Sequence, residues 1–179
     1  MPYYFNSRNT DSPDKMRLTL RHLTTNIRKP SQPVVIICIG SDRSTGDCLG
    51  PIVGYKLSRL NLDNDVFIYG TLESPVHAAN LDSSIRHINS THDNPFIIAI
   101  DASLGRKEHV GFLTIGEGPL KPGAGVKKKL PEVGSIHITG IVNISGVMDN
   151  VLLQTTHLST IVNLAEIIAD VLSTSNIFN

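Results

Sequence analysis

The segment at residues 34–51 (VVIICIGSDRSTGDCLGP) constrains the fold of this chain more than any other stretch. A run of mostly β-branched apolar residues ends at Gly40, a short polar loop follows, and a periodic apolar segment begins at Leu49. A short continuous apolar run that ends in glycine and polar residues is typical of a strand buried on both faces. The segment therefore predicts a buried strand, a tight loop and the start of a helix.

Acidic side chains follow two of the predicted strands. The loop after the first strand carries Asp42 and Asp47, and the apolar run at residues 95–100 (PFIIAI) is followed by Asp101. Open α/β sheets place their sites beyond the carboxyl ends of strands, and a close carboxylate pair yields one acid and one base. A structural role is the alternative for each residue, since an aspartate at such positions often caps a helix or turns the chain. Asp47 and Asp101 are therefore candidate catalytic residues.

The order of predicted elements favours a parallel sheet. Strand and helix patterns alternate up to Asp101, which is typical of right-handed parallel crossovers. The sequence predicts helices at residues 14–28, 49–60, 75–89 and 157–172, and strands at 34–39, 65–69, 95–100, 111–115 and 136–144. The strand at residues 111–115 is expected to be antiparallel and near an edge. Residues 116–131, rich in glycine, proline and lysine, are expected to form a long loop.

Length and charge limit the classes of protein that fit. The 179 residues carry 16 basic and 16 acidic side chains, so no global field attracts nucleic acid or anionic lipid. We expect a single domain, residues 1–179, with a loose N-terminal arm at 1–13 and a core at 33–173. No apolar run approaches the roughly 20 residues of a membrane span, and Cys38 and Cys48 do not indicate a disulfide framework. A cytoplasmic protein that binds neither nucleic acid nor membrane is expected.

Other chemistries are less consistent with the sequence. The loop is neither a dinucleotide fingerprint nor a Walker loop, and the chain has no G-x-S-x-G elbow. Cys48 would need a basic partner to act as a nucleophile. His137, inside a predicted strand, is either a structural residue or a member of a divalent metal site with Asp47 and Asp101. Five other histidines are predicted to be ordinary surface residues: His77, His87, His92, His109 and His157.

Three segments resemble the spore germination protease family in the same order along the chain. IGSDRSTGDCLGP at 39–51 is similar to its first motif, which ends in D-x-L-G-P, and IDASLGR at 100–106 resembles its I-D-A-L-x-x-R stretch. Residues 122–149 are similar to its P-G-S-G-V segment and the strand and turn that follow. Over most of its length the chain resembles the shorter YyaC-type sporulation protein family. The hydrogenase maturation endopeptidases are more distantly similar, with an acid at the position of Asp47 and a later one at that of Asp101.

The resemblance implies a fold and an activity. The expected fold is a three-layer α/β/α sandwich with a mainly parallel central sheet, of the phosphorylase/hydrolase-like kind. The expected activity is that of a sporulation-associated endopeptidase, with Asp47 and Asp101 matching the catalytic aspartates of the germination protease. No cofactor and no metal is carried over. The alternative is a non-catalytic sporulation accessory or binding protein on the same fold.

The resemblance also suggests a substrate, a compartment and further site residues. The expected partner is a protein or peptide substrate, with small acid-soluble spore proteins as the family-level candidate, and a homo-oligomer is a further expectation. The expected location is the cytoplasm of the forespore or the spore interior. The loop reads G-S-D-R where the maturation enzymes have G-x-G-N, so docking of substrate is expected to differ. The candidate substrate-binding residues are Ser41, Asp42, Arg43 and His137.

Overall fold

A computed structural model describes residues 1–63, 65–123, 130–146 and 149–174, with the side chain of Asn150 left aside. The strands are β1 (Tyr3–Asn6), β2 (Val34–Cys38), β3 (Val66–Tyr69), β4 (Phe96–Gly105), β5 (Phe112–Glu117) and β6 (Ile136–Ile144). The helices are α1 (Ser12–Ile27), α2 (Leu49–Leu57), α3 (Leu81–Thr91), α4 (Asp149–Gln154) and α5 (Leu158–Thr174). Short 3-10 turns lie at Thr45–Asp47 and Lys107–His109.

The six strands form one mixed sheet in the order β1-β5-β6-β4-β2-β3. Strands β3, β2, β4 and β6 are parallel neighbours, whereas β5 runs antiparallel to both β6 and β1. All five residues of β2 are buried, as expected of a strand with parallel neighbours on both sides. The predicted α/β fold with a mainly parallel central sheet is confirmed, as is the antiparallel β5 close to an edge.

Alternate side chains of the strands point to two different layers. Ile36 and Ile100 pack with α1, α2 and α5 on what we call the closed face. Ile37 and Ala99 point the other way, toward α3 and Leu130, on what we call the open face. Because strand side chains alternate with a period of two, Asp101 shares the open face with Ala99. The candidate site therefore lies on the open face.

The N-terminal residues form a strand, so the prediction of a loose arm at residues 1–13 was wrong. Strand β1 pairs antiparallel with β5, and Phe5 is only 7% exposed among the closed-face side chains. Helix α1 then begins at Ser12, whose hydroxyl donates to the carbonyl of Asn6 at 2.7 Å. One buried aromatic ring and an unpaired strand edge were enough to order a segment that is otherwise polar.

Helix α3 begins six residues later than predicted, because a side-chain turn replaces its expected first turns. The Asn80 carboxamide accepts from the backbone N–H of His77 at 2.7 Å and donates to the carbonyl of Pro75 at 3.0 Å. Asparagine commonly competes in this way with helical hydrogen bonding. Val76, within this turn, forms a parallel bridge with Ile39. The turn therefore brings residues 76–78 to the end of β2.

The predicted loop at residues 116–131 is closed at its base by an antiparallel bridge between Leu120 and Val133. Residues 124–129 lie outside the described part of the chain. Helix α4, which the sequence analysis did not predict, packs near the 3-10 turn that contains Asp47. Within the described ranges, no helix combines the length and the apolar character that a membrane span requires.

Candidate active site

The loop after β2 folds back on itself and fixes the position of Asp47. Gly40 has a φ of +140°, and a Cβ there would collide with the backbone carbonyl oxygen of Asp47. The backbone N–H of Ser41 donates to that same carbonyl at 3.0 Å, and the N–H of Gly40 donates to Val76 at 2.8 Å. Only glycine combines this backbone angle with such a close approach. The sequence G-S-D-R-S-T-G-D therefore forms a closed loop that ends at the carboxylate.

Asp47 does not cap the helix that follows it. It is the last residue of a 3-10 turn, and the N-cap position of α2 is Cys48, without a side-chain capping hydrogen bond. The thiol of Cys48 instead donates to the carbonyl of Thr45 at 2.9 Å. The capping alternative for Asp47 was therefore wrong, because its carboxylate makes no capping hydrogen bond to the start of α2.

Asp101 lies just beyond the carboxyl end of the neighbouring strand β2, even though its own strand is longer than predicted. Strand β4 continues to Gly105, but the last pair between β2 and β4 joins Cys38 to Ile100. Asp101 is thus the first residue of β4 beyond the end of β2. Its side chain is 7% exposed and accepts a hydrogen bond from the backbone N–H of Ala102 at 2.8 Å. The end of β2, and not the end of β4, therefore leaves Asp101 beyond the last β2–β4 residue pair.

Burial disfavours the charged form of both carboxyl groups. It raises the pKa of Asp47 to about 6, against a smaller lowering effect from the backbone N–H of Ser41. Burial also raises the pKa of Asp101 well above its usual range, and the negative charge of Asp47 raises it further. A negative charge nearby disfavours ionisation of a second carboxyl group. The pKa of the more deeply buried Asp101 is therefore raised by its burial and by the Asp47 charge together, whereas burial is the main cause for Asp47.

Both carboxyl groups open onto one cleft of about 250 Å³. Its apolar wall comes from Ile39, Leu130 and Leu153, the last of which belongs to α4. A site with a few polar groups in a largely apolar wall is typical of small clefts that bind and orient a ligand. The described residues that line it are Ile39, Gly40, Ser44, Asp47, His77, Ala78, Asp101, Ala102, Pro122, Gly123, Leu130, Leu153 and Gln154.

The cleft contains two polar side chains that the sequence analysis missed. Ser44 has a buried hydroxyl with no hydrogen-bond partner within the described ranges. His77 accepts the backbone N–H of Ala79 on Nδ1 at 3.3 Å, which places the proton of the neutral ring on Nε2. A signal for His77 was present, since it follows β3, whose carboxyl end lies at the same sheet edge as that of β2.

The predicted substrate-binding residues lie outside the lining of this cleft. Ser41 is half-buried, and its hydroxyl accepts the backbone N–H of Arg43 at 3.2 Å. Asp42 and Arg43 are exposed. Their role in binding substrate stays a prediction.

His137 does not join the carboxylate pair. It lies in β6 on the open face, donates from Nδ1 to the carbonyl of Gly118 at 3.0 Å, and lines a separate groove. In the described part of the chain, no group of three or more His, Cys, Asp or Glu side chains is placed to hold a metal ion. The hypothesis of a divalent site at Asp47, Asp101 and His137 was therefore wrong, because the histidine is turned toward a loop carbonyl.

The known proteins that are similar to this chain include one sequence relative and one solved structure. Uncharacterized protein YyaC of Bacillus subtilis (strain 168) is 53% identical over 152 residues, which cover 84% of this chain and 74% of that protein. The crystal structure of the NiFe hydrogenase maturation protease HycI from Thermococcus kodakarensis KOD1 superposes with a TM-score of 0.54 at 18% identity. The superposition covers 82% of this chain and 96% of HycI, and it shows that the two proteins have a similar fold.

The resemblance to the YyaC-type family is thereby confirmed. A second comparison, with families of related sequences, gives a match that runs from β1 to α5 and so includes nearly the whole described fold. Because residues 5–171 match it, the chain belongs to the family described as protein of unknown function (DUF1256).

Proposed function

We propose that this protein is a sporulation-associated endopeptidase in which Asp47 and Asp101 form an acid–base pair. The observation that carries the proposal is the placement of two carboxyl groups, both with raised pKa values, in a single cleft. Carboxyl groups whose environments separate their pKa values are the usual basis for acid–base assignments. The shared fold with HycI, which is described as a maturation protease, and the resemblance to the germination protease family support it.

The first half of the reaction assigns different roles to the two residues. The ionised carboxylate of Asp47 accepts a proton from a water molecule, whose oxygen forms a bond to the scissile carbonyl carbon. The protonated Asp101 donates its proton to the carbonyl oxygen. The product of this step is a neutral tetrahedral diol, with Asp47 protonated and Asp101 ionised.

The second half returns both protons. Asp47 donates its proton to the amide nitrogen while Asp101 removes one from a diol hydroxyl, and the carbon–nitrogen bond breaks. The products are a carboxylic acid and an amine, and each aspartate regains its initial state. The unpartnered hydroxyl of Ser44 and the Nε2–H of His77 can donate to substrate oxygens in the same cleft.

The proposal is tested by replacing each aspartate with asparagine. Purified small acid-soluble spore proteins serve as substrate, and cleavage is followed by electrophoresis and mass spectrometry. Each variant, Asp47→Asn and Asp101→Asn, is expected to lose about 10²–10⁴-fold in rate, the usual contribution of acid–base catalysis. Asp93→Asn is the matched control, since it makes the same change at an exposed position outside the cleft and its loop.

The same experiment addresses the alternative of a non-catalytic binding protein on this fold. The observation that favours the alternative is the loop sequence G-S-D-R, which departs from the pattern of the maturation enzymes. Stable capture of an intact spore protein without fragments would favour binding alone. Cleavage that survives both asparagine substitutions would remove the aspartate mechanism.

A further inference from the structure

A second cavity on the open face lies outside the candidate active site. It is a groove of about 750 Å³, lined by side chains of β1, β4, β5 and β6 and by residues 119–121. Its lining includes Arg106, His109, Lys121 and His137, and in the described part of the chain no Asp or Glu belongs to it. We call it the basic groove. In a chain with equal numbers of acidic and basic residues, Arg106 and Lys121 give this groove a local positive charge.

The floor of the basic groove is a row of hydroxyl groups that ends at Asp101. Tyr4 pairs with Thr114 across β1 and β5, Thr114 with Thr139 across β5 and β6, and Thr139 with Asp101 across β6 and β4. The hydroxyls of Thr114 and Thr139 share a hydrogen bond of 2.7 Å, and Ser103 donates to Thr139 at 3.2 Å. The basic groove therefore runs directly up to one member of the carboxylate pair.

The basic side chains around this row are positioned to meet an anion. Arg106 is exposed and precedes the 3-10 turn Lys107–His109. Lys121 is also exposed and lies 3.3 Å from Glu132, which offsets part of its charge. The Nδ1–H of His137 donates to the carbonyl of Gly118, which leaves Nε2 as the ring nitrogen outside that hydrogen bond.

Aromatic packing fixes one more basic side chain. The ring of His109 lies between Tyr4 and Phe112, with centroid distances of 5.1 and 5.3 Å. A ring held on two sides loses little freedom when it binds a ligand, so a site built on it is partly preorganised.

We propose that the basic groove binds an acidic, glutamate- or aspartate-rich segment of the protein substrate, beside the bond that Asp47 and Asp101 cleave. The cleavage part of this statement rests on the proposed function, whereas the binding part depends on the groove alone. Arginine recognises carboxylates through paired N–H donors, and electrostatic complementarity selects between segments of otherwise similar shape. The hydroxyl floor adds neutral donors for a peptide backbone.

The test measures binding in the absence of cleavage. Full-length protein carrying Asp47→Asn is titrated into a fluorescein-labelled peptide in which glutamate alternates with alanine, and anisotropy is recorded. The comparison peptide has glutamine in place of every glutamate. A labelled oligothymidine of similar length serves as the nucleic-acid probe.

The glutamate peptide is expected to bind about tenfold more tightly than the glutamine peptide, with affinity falling as salt is added. Arg106→Gln and Lys121→Gln are each expected to weaken binding of the glutamate peptide several-fold. Both residues are exposed, so these variants leave the packed core unchanged. Arg21→Gln is the matched control, with the same loss of charge at an exposed position of α1, the helix on the closed face.

The inference would be overturned if the two peptides bound with equal affinity, or if oligothymidine bound more tightly than the glutamate peptide. It would also be overturned if Arg106→Gln and Lys121→Gln weakened binding no more than Arg21→Gln does. Binding by the groove without any cleavage of spore proteins would leave the inference in place and remove the proposed peptidase activity. Cleavage that depends on Asp47 and Asp101 but not on the charge of the peptide would support the peptidase activity and overturn the inference about the groove.

Discussion

The two faces of the sheet differ in what they bury. The closed face joins side chains of five strands to α1, α2 and α5 in one continuous apolar cluster. The open face has a smaller apolar cluster under α3, and beside it lie Asp101, Thr139 and Thr114, all buried and all polar. The same strands supply both faces, because their side chains alternate.

This difference separates the stability of the fold from its chemistry. An apolar cluster of the closed-face kind supplies most of the favourable free energy of folding. Buried carboxyl groups on the open face reduce stability when they ionise, and sites of this kind are maintained by the stability of the rest of the molecule. Truncation in the closed-face core should therefore lower stability, whereas removal of the Asp47 carboxylate should raise it at neutral pH, and three variants test the comparison in order of size.

The largest effect on stability is expected for Leu164→Ala on the closed face. Leu164 is fully buried in α5, and truncation of such a side chain leaves a cavity that costs about 2–5 kcal/mol in the free energy of unfolding. Urea unfolding gives the value. Leu158→Ala, at a position 57% exposed in the same helix, should cost less than about 0.5 kcal/mol. Similar losses for the two variants would contradict the assignment of the closed face as the core.

The second effect has the opposite sign, since Asp47→Asn is expected to stabilise the protein at neutral pH. The pKa of Asp47 is about 6 in the folded protein and 3.8 in the unfolded chain, so the folded state binds more protons between these values. Stability of the wild type therefore falls as pH rises through this range, and the loss is complete once the pH is well above the folded-state pKa of about 6. The asparagine variant does not have this loss, so its free energy of unfolding at neutral pH should exceed that of the wild type by up to about 3 kcal/mol.

Unfolding in urea at about pH 4 and about pH 8 measures this gain, which should be nearly absent at the lower pH. The exposed Asp42→Asn supplies the control for the change of residue type. Destabilisation by Asp47→Asn at both pH values would show that the carboxylate has a structural role instead.

The smallest effect is expected for Thr139→Val in the hydroxyl row. Valine preserves the shape of threonine but removes the partner of the Ser103 and Thr114 hydroxyls. Loss of these hydrogen bonds should cost about 1 kcal/mol in stability. Thr25→Val, on the exposed surface of α1, controls for the change of residue type and should be close to neutral. A stabilising Thr139→Val would mean that the row is not held together by its hydrogen bonds.

Much of the closed face could be predicted from the sequence, because it depends on local patterns. The apolar run of β2, the helical spacing in α1 and α5, and the strand at Ile136–Ile144 were all found within one or two residues. The edge position of Asp47 and Asp101 was also predicted, since each follows an apolar run that the sheet must bury.

The open face depends on contacts between distant segments, and the sequence did not reveal these. The turn around Asn80 delays α3 and brings His77 to the end of β2, a result of two side-chain hydrogen bonds and one bridge. The placement of His137 away from the carboxylates follows from the carbonyl of Gly118, which no pattern in the sequence indicates. Strand β1 formed because β5 presents an unpaired edge, a property of the assembled sheet.

The central claim is that Asp47 and Asp101 share one buried site and hold a proton between them at neutral pH. Carboxyl carbon NMR of aspartate-labelled protein measures this directly across a pH titration, with the two asparagine variants providing the assignments. We predict that Asp47 titrates with a pKa of about 6 while Asp101 stays protonated, and that Asp47→Asn lowers the pKa of Asp101 by removing a nearby charge. Two independent titrations near the ordinary aspartate value, unchanged by either substitution, would contradict the account.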